Sequence, residues 1–174
     1  MTLAVRSLKS RGTLAGVLSL LAVTAYSGWA LVQILVLNPL WAVPGTPLRQ
    51  IYAEVAAAGQ SMDVWLVVLF LAFGPLAMLA IVLLASARRL AWWIPSVVGL
   101  GLLTLGPVAY WWASVAPAIG LADTYLISGG NHSPWAWPLV VASALALLGL
   151  AVLGGKTIHR SRGNGVPAQV PYQA

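Results

Sequence analysis

Residues 64–87 read VWLVVLFLAFGPLAMLAIVLLASA, an uncharged run bounded by Asp63 before it and by Arg88 and Arg89 after it. As an α-helix rising 1.5 Å per residue it would span about 36 Å, longer than the ~30 Å hydrocarbon core of a bilayer. The run has no polar face to offer water along its length. It is read as a membrane-crossing helix.

Working outward from this run, three more segments have the same character. They lie at about residues 13–37, 90–116 and 135–154, and none carries a charge in its interior. One Arg, Lys or Asp at a helix centre costs about 2.5–3.5 kcal/mol on insertion, while each Leu or Val returns only a few tenths. The expected fold class is therefore an all-α integral membrane protein. Its architecture is an antiparallel bundle of four transmembrane helices over residues 1–155, followed by a disordered cytoplasmic tail over 156–174. The first run begins like a secretory signal, with a basic stretch, an apolar core and a small-x-small step at Ala25–Ser27. A cleaved signal has an apolar core of only about 7–15 residues; here it continues through Trp29 to Leu37, so an uncleaved anchor is expected.

Composition agrees. The chain is 60% hydrophobic and 7% charged, against about 25% charged in soluble domains. Its Ala/Leu/Val/Gly-rich, Arg-favouring style resembles inner-membrane proteins of high-GC bacteria, which sets the expected location. The net charge of +6 is unevenly placed. Arg6, Lys9, Arg11, Arg88, Arg89, Lys156, Arg160 and Arg162 fall on one side of the predicted spans, and Arg49 with the acids Glu54, Asp63 and Asp123 on the other. By the positive-inside rule both termini are cytoplasmic. The bases form no continuous face, so nucleic acid is not an expected partner. Most of the nine tryptophans stand at run ends, as membrane-interface anchors do.

Between the first two runs, Leu48, Ile51, Tyr52 and Val55 recur at i, i+3, i+4 and i+7. They predict a short amphipathic outer helix over about 47–58, with Thr46 as cap, Pro47 first and Gly59 as stop. Ser61 or Asp63 is expected to cap the second span, and Ser133-Pro134 to start the fourth. Pro117 is expected to end the third span, and Gly154-Gly155 the fourth.

Chemistry-bearing residues are few. Absence of cysteine removes thiolate metal sites and thiol redox chemistry. Glu54, Asp63, Asp123 and His132 gather on the predicted outer side as weak metal or acid–base candidates. No HxxxH, DxD or ExxH spacing joins them, and capping, turn formation and solvation account for them. His159 is read as a solvated tail residue, and the Asn131-His132-Ser133 glycosylation pattern as incidental. No catalytic motif is present, so the chain is not expected to be an enzyme, and no cofactor is expected.

Inside the membrane, Gly74-Pro75 and Gly106-Pro107 predict kinks that release the carbonyls of Leu71 and Leu103. The pairs are read as packing devices, with hinges of a carrier as the alternative. Ala142, Ala146 and Gly149 form a flat strip for helix contact, and Gly99, Gly101 and Gly106 thin the third span. Gly12 and Gly16 make a GxxxG, placed too near the inner end to expect much of it. The expected function is an accessory, assembly or structural subunit packing in the bilayer against other membrane proteins or itself. The alternative is a small carrier or flippase-like protein for a neutral or lipidic substrate.

Overall fold

The computed structural model describes residues 2–87 and 90–163, with side chains described over 11–87 and 90–155. Every regular element among them is helical: α1 (Thr2–Val32), a π-turn (Gln33–Leu37), α2 (Asn38–Ala42), α3 (Leu48–Ala57), α4 (Val64–Ala87), α5 (Trp93–Thr104), α6 (Gly106–Tyr125), a 3-10 turn (Pro134–Ala136) and α7 (Trp137–Gly163). Three helical segments, Arg11–Ala42, Val64–Ala87 and Pro134–Gly155, are long and apolar enough to cross a membrane. The α5–α6 pair, bent by 41°, makes a fourth if it counts as one span. Only 17–22% of the residues in the three apolar windows are buried. Leu69 and Phe73 of α4, for example, are 70% and 69% exposed. Lipid is the solvent that such a surface fits.

Helix α1 is central, packing along α4 and α5; α5 also packs on α7, and α6 on α4. Tyr26 and Ala30 of α1 and Ile34 of the π-turn meet Val67 and Leu71 of α4, Ala113 of α6 and Leu139 of α7 in one apolar core. Small residues set the approach. A Cβ at Gly99 would lie 2.5 Å from the Ser19 side chain, and one at Gly12 would lie 2.5 Å from the Leu90 carbonyl. The GxxxG step is thus a contact surface, with both glycines buried, Gly12 against the α4–α5 connection at Leu90 and Gly16 against Val82 of α4 and Pro95 of α5. These contacts bring the start of α1 and the α4–α5 connection to one end, the basic end. Helix α3, the start of α4, the end of α6 and the Ser128–Trp135 loop form the opposite, acidic end. Arg88 and Arg89 lie outside the described residues.

Several helix boundaries differ from expectation, each for a local reason. Pro117 does not end the third run. It is buried inside α6, which continues to Tyr125 and stops on Leu126 in the left-handed region (φ 55). One missing amide is tolerated because the helix beyond Pro117 is held from the side, where α3 packs on Leu121. Gly154 and Gly155 do not stop α7, which runs to Gly163. A helical glycine costs only about 1 kcal/mol relative to Ala, and a long helix absorbs it. The segment read as disordered from 156 therefore opens as helix, and 164–174 lies outside the described residues. Pro47 rather than Thr46 occupies the N-cap position of α3. The α3 stop is a Schellman motif: Gln60 N–H donates to Val55 O and Gly59 N–H to Ala56 O, with Gly59 at φ +74. Neither Ser61 nor Asp63 caps α4 with its side chain. Their side chains bond one another, at 2.7 Å, and the Asp63 backbone carbonyl opens the α4 ladder. Ser133 does cap, accepting from Trp135 N–H at 3.2 Å.

A candidate polar site at the acidic end

The site starts from a proline. Pro39 has no N–H, so an α-ladder would leave the Leu35 carbonyl without a donor. The chain responds with the π-turn, in which Asn38 N–H reaches back to Gln33 O. Residues five apart on an α-helix point about 140° away from each other, whereas an i→i+5 ladder brings them close to alignment. Gln33 and Asn38 consequently share one face, and both are buried. The Leu35 carbonyl finds its donor in the Tyr52 hydroxyl of α3, at 2.9 Å.

The Asn131-His132-Ser133 loop closes over that face. Gln33 Nε2 donates to Asn131 Oδ1 at 3.0 Å, and Ser133 Oγ donates to Gln33 Oε1 at 3.2 Å. His132 N–H donates to Asn38 Oδ1 at 2.7 Å. The His132 Nε2 lies 3.3 Å from Ser128 Oγ, while its Nδ1 is buried without a partner. Beside the loop, Trp29 Nε1 donates to Trp135 O, and the two rings meet edge to face. A fully buried Gln with both amide ends bonded fixes the position of a loop more than 90 residues away in sequence. Such a network stabilises one arrangement only while every member keeps its partner.

A second cluster holds α3 down. Ile51 and Val55 pack on Met62 and Leu121 in a small apolar core of their own. The amphipathic face of α3 is thus used against α6. Glu54 is the polar clasp, accepting from the Tyr125 hydroxyl at 2.7 Å and from Gln50 Nε2 at 2.8 Å. These two donors, Tyr125 first, hold the Glu54 carboxyl below the usual glutamate range. Gln60 Nε2 donates to Asp123 Oδ2 at 3.3 Å. An open groove of about 420 Å³ runs between α3 and the first turn of α4, lined by Tyr52, Val55, Gln60, Met62, Asp63 and Trp65 among others.

The four outer-side candidates are therefore engaged separately: Glu54 with Tyr125, Asp63 with Ser61, Asp123 with Gln60, and His132 with Asn38 and Ser128. Among the described residues no three acid or His side chains gather at a point where one ion could be held. The two Gly-Pro pairs part company. Helix α4 runs unbroken through Gly74-Pro75, whereas Gly106-Pro107 follows the 41° break. In the packing strip, Ala146 is buried, Ala142 lies against the core and Gly149 touches the Leu100 side chain. Tyr26, Asn38, Tyr52 and Ser143 carry long-range bonds that the sequence reading missed. For Tyr52 and Ser143 the available signal was the proline four residues after the carbonyl that each serves.

No family model matches the chain, and no curated protein or solved structure is similar to it.

Proposed function

We propose that the chain is a small accessory or assembly subunit of a bacterial inner membrane, not an enzyme. It crosses the bilayer four times as an antiparallel bundle with both termini in the cytoplasm, and packs its apolar flank against another membrane protein or a second copy. The topology rests on charge: eight of nine bases belong to the segments at the basic end, and all three acids to the other. One observation carries the functional reading. Among the described residues, the buried polar side chains Gln33, Asn38, Ser133 and Ser143 are bonded to partners within the chain, and the one buried side-chain nitrogen or oxygen without a partner, His132 Nδ1, lies in the loop at the acidic end and not within a span. A permeation path needs polar groups left for the substrate; here those groups serve to hold helices and loops in one arrangement, as a scaffold requires.

Recovery of the tagged protein in mild detergent tests this reading. A partner or second copy at fixed stoichiometry is expected; monomeric protein without companions would sink it. Reporter fusions test topology separately. Those after Arg89 and at Ala174 should read cytoplasmic, and one near Gly130 external. The second reading, a carrier or flippase-like protein for a neutral or lipidic substrate, draws on the α5–α6 bend alone, and transport by vesicles holding only this protein would favour it.

A further inference from the structure

The link Gln60–Asp63 carries the chain from α3 to the first turn of α4. Because the Ser61 and Asp63 side chains bond one another, neither reaches the first amides of α4. The Leu66 and Val67 N–H groups donate to Asp63 O, while those of Val64 and Trp65 find no acceptor among the described residues. Such a helix start presents open donors and the positive end of the helix dipole. The groove of about 420 Å³ sits on this step, with Asp63 in its lining and no Lys or Arg. A carboxylate calls for a cation and open amides for an anion. Side by side, they match a zwitterion.

Depth narrows the kind of zwitterion. Asp63 ends the polar link, and Val64 opens the apolar run long enough to cross a membrane. The groove therefore lies at the level of lipid headgroups. Leu66 lines it, and Leu69, Phe70 and Phe73 follow at i+3, i+4 and i+7, all exposed. One face of α4 thus runs without interruption from the groove into the hydrocarbon. Trp65, 86% exposed, stands at the same boundary, where indole rings are stable.

We propose that the groove holds the headgroup of phosphatidylethanolamine. Its ammonium donates to the Asp63 carboxylate, its phosphate accepts from the Val64 and Trp65 amides, and an acyl chain lies along Leu66, Phe70 and Phe73. A primary ammonium has N–H groups to give to a carboxylate, and a trimethylammonium has none. Phosphatidylglycerol offers the same phosphate and chains without the cation, so Asp63 repels its net charge. An exposed ion pair of this kind is worth up to about fivefold in binding. The site holds for either orientation in the membrane and does not depend on the accessory-subunit reading.

Native mass spectrometry of the full chain, released from micelles carrying equal amounts of phosphatidylethanolamine and phosphatidylglycerol, counts the bound lipids directly. The unsubstituted chain should retain phosphatidylethanolamine over phosphatidylglycerol by about three- to fivefold. Asp63→Asn should abolish that preference. Asparagine tolerates the left-handed backbone found here (φ 40), and its Oδ1 can still accept from Ser61, so the variant removes the charge and keeps the link. Equal retention of the two lipids by the unsubstituted chain overturns the site, whether or not the variant folds. A preference that survives Asp63→Asn overturns it as well. A protein companion lost on Asp63→Asn while the lipid ratio stays unchanged would give the groove to a cationic side chain of that companion, and the lipid assignment would fall.

Discussion

The Gly-Pro step occurs twice, within LAFGPLAM and within LTLGPVAY, and only the second breaks its helix. At the first, Gly74 faces Val23 of α1, and Leu71 and Met78 on either side are buried, so α4 is clamped along its length. At the second, an aromatic ring fills the space beside Gly106 and a hydroxyl from α7 takes the released carbonyl. Thr104 adds to the effect by donating to Leu100 O at 2.8 Å, a back-bond that tends to bend helices. Proline removes a bond at both places. What the neighbours supply decides whether the helix bends there.

The largest expected difference is at the glycines. Gly106→Ala puts a methyl into the Tyr26 ring and should cost about 1–3 kcal/mol or more as overpacking. Gly74→Ala meets the end of Val23 at 3.1 Å and the Ser27 hydroxyl at an ordinary 3.9 Å, and recovers about 1 kcal/mol of helix propensity. Thermal unfolding in detergent should show a marked loss for the first and almost none for the second; equal losses would refute the contrast.

A smaller effect separates the prolines. Pro107→Ala restores a donor that competes with Ser143 for the Leu103 carbonyl. A double-mutant cycle of Pro107→Ala with Ser143→Ala should therefore show coupling of about 0.5–1.5 kcal/mol. The cycle of Pro75→Ala with Ser143→Ala should be additive within about 0.5 kcal/mol. Coupling in both cycles would mean that Ser143 acts through the whole core and not through one carbonyl.

Tyr52→Phe extends the comparison to Pro39, whose released carbonyl also takes a hydroxyl from outside its helix. The loss should be about 1 kcal/mol, read as faster amide exchange in α3 than in α4. Unchanged exchange in α3 would show that Ile51 and Val55 alone retain it.

These local decisions explain what the sequence made legible. The apolar runs needed only composition and length, and α4 has the bounds read from its uncharged stretch. The Gly59 stop and the Ser133 cap were legible because their chemistry lies within a few residues. The polar site was not legible. Gln33 and Asn38 sit at the end of an apolar run, and the π-turn places them on one face against the 100° rule by which helical faces are read. Their partners, Asn131 and Ser133 for Gln33 and His132 for Asn38, are 94–100 residues away. Pro117 and Gly154 misled for the opposite reason: their local signals are real, but side-on packing or a long helix outweighs them.

The smallest effect concerns the clasp at Glu54. Tyr125 and Gln50 bond the ionised carboxylate, so its folded pKa lies below the unfolded value of about 4.3. A depressed carboxylate contributes stability in full above its unfolded pKa and loses it as pH falls through the lower, folded value. The clasp should therefore be constant from neutral pH down to about 5 and weaken below that. Glu54→Gln has no charge to lose, so its melting temperature should start slightly lower and fall less steeply between about pH 5 and 3. The group is near the surface, where screening keeps such effects small, so only the difference between the two pH curves is informative. Parallel curves would mean that Glu54 is a passenger on α3 and that the Ile51–Val55 face alone retains the helix.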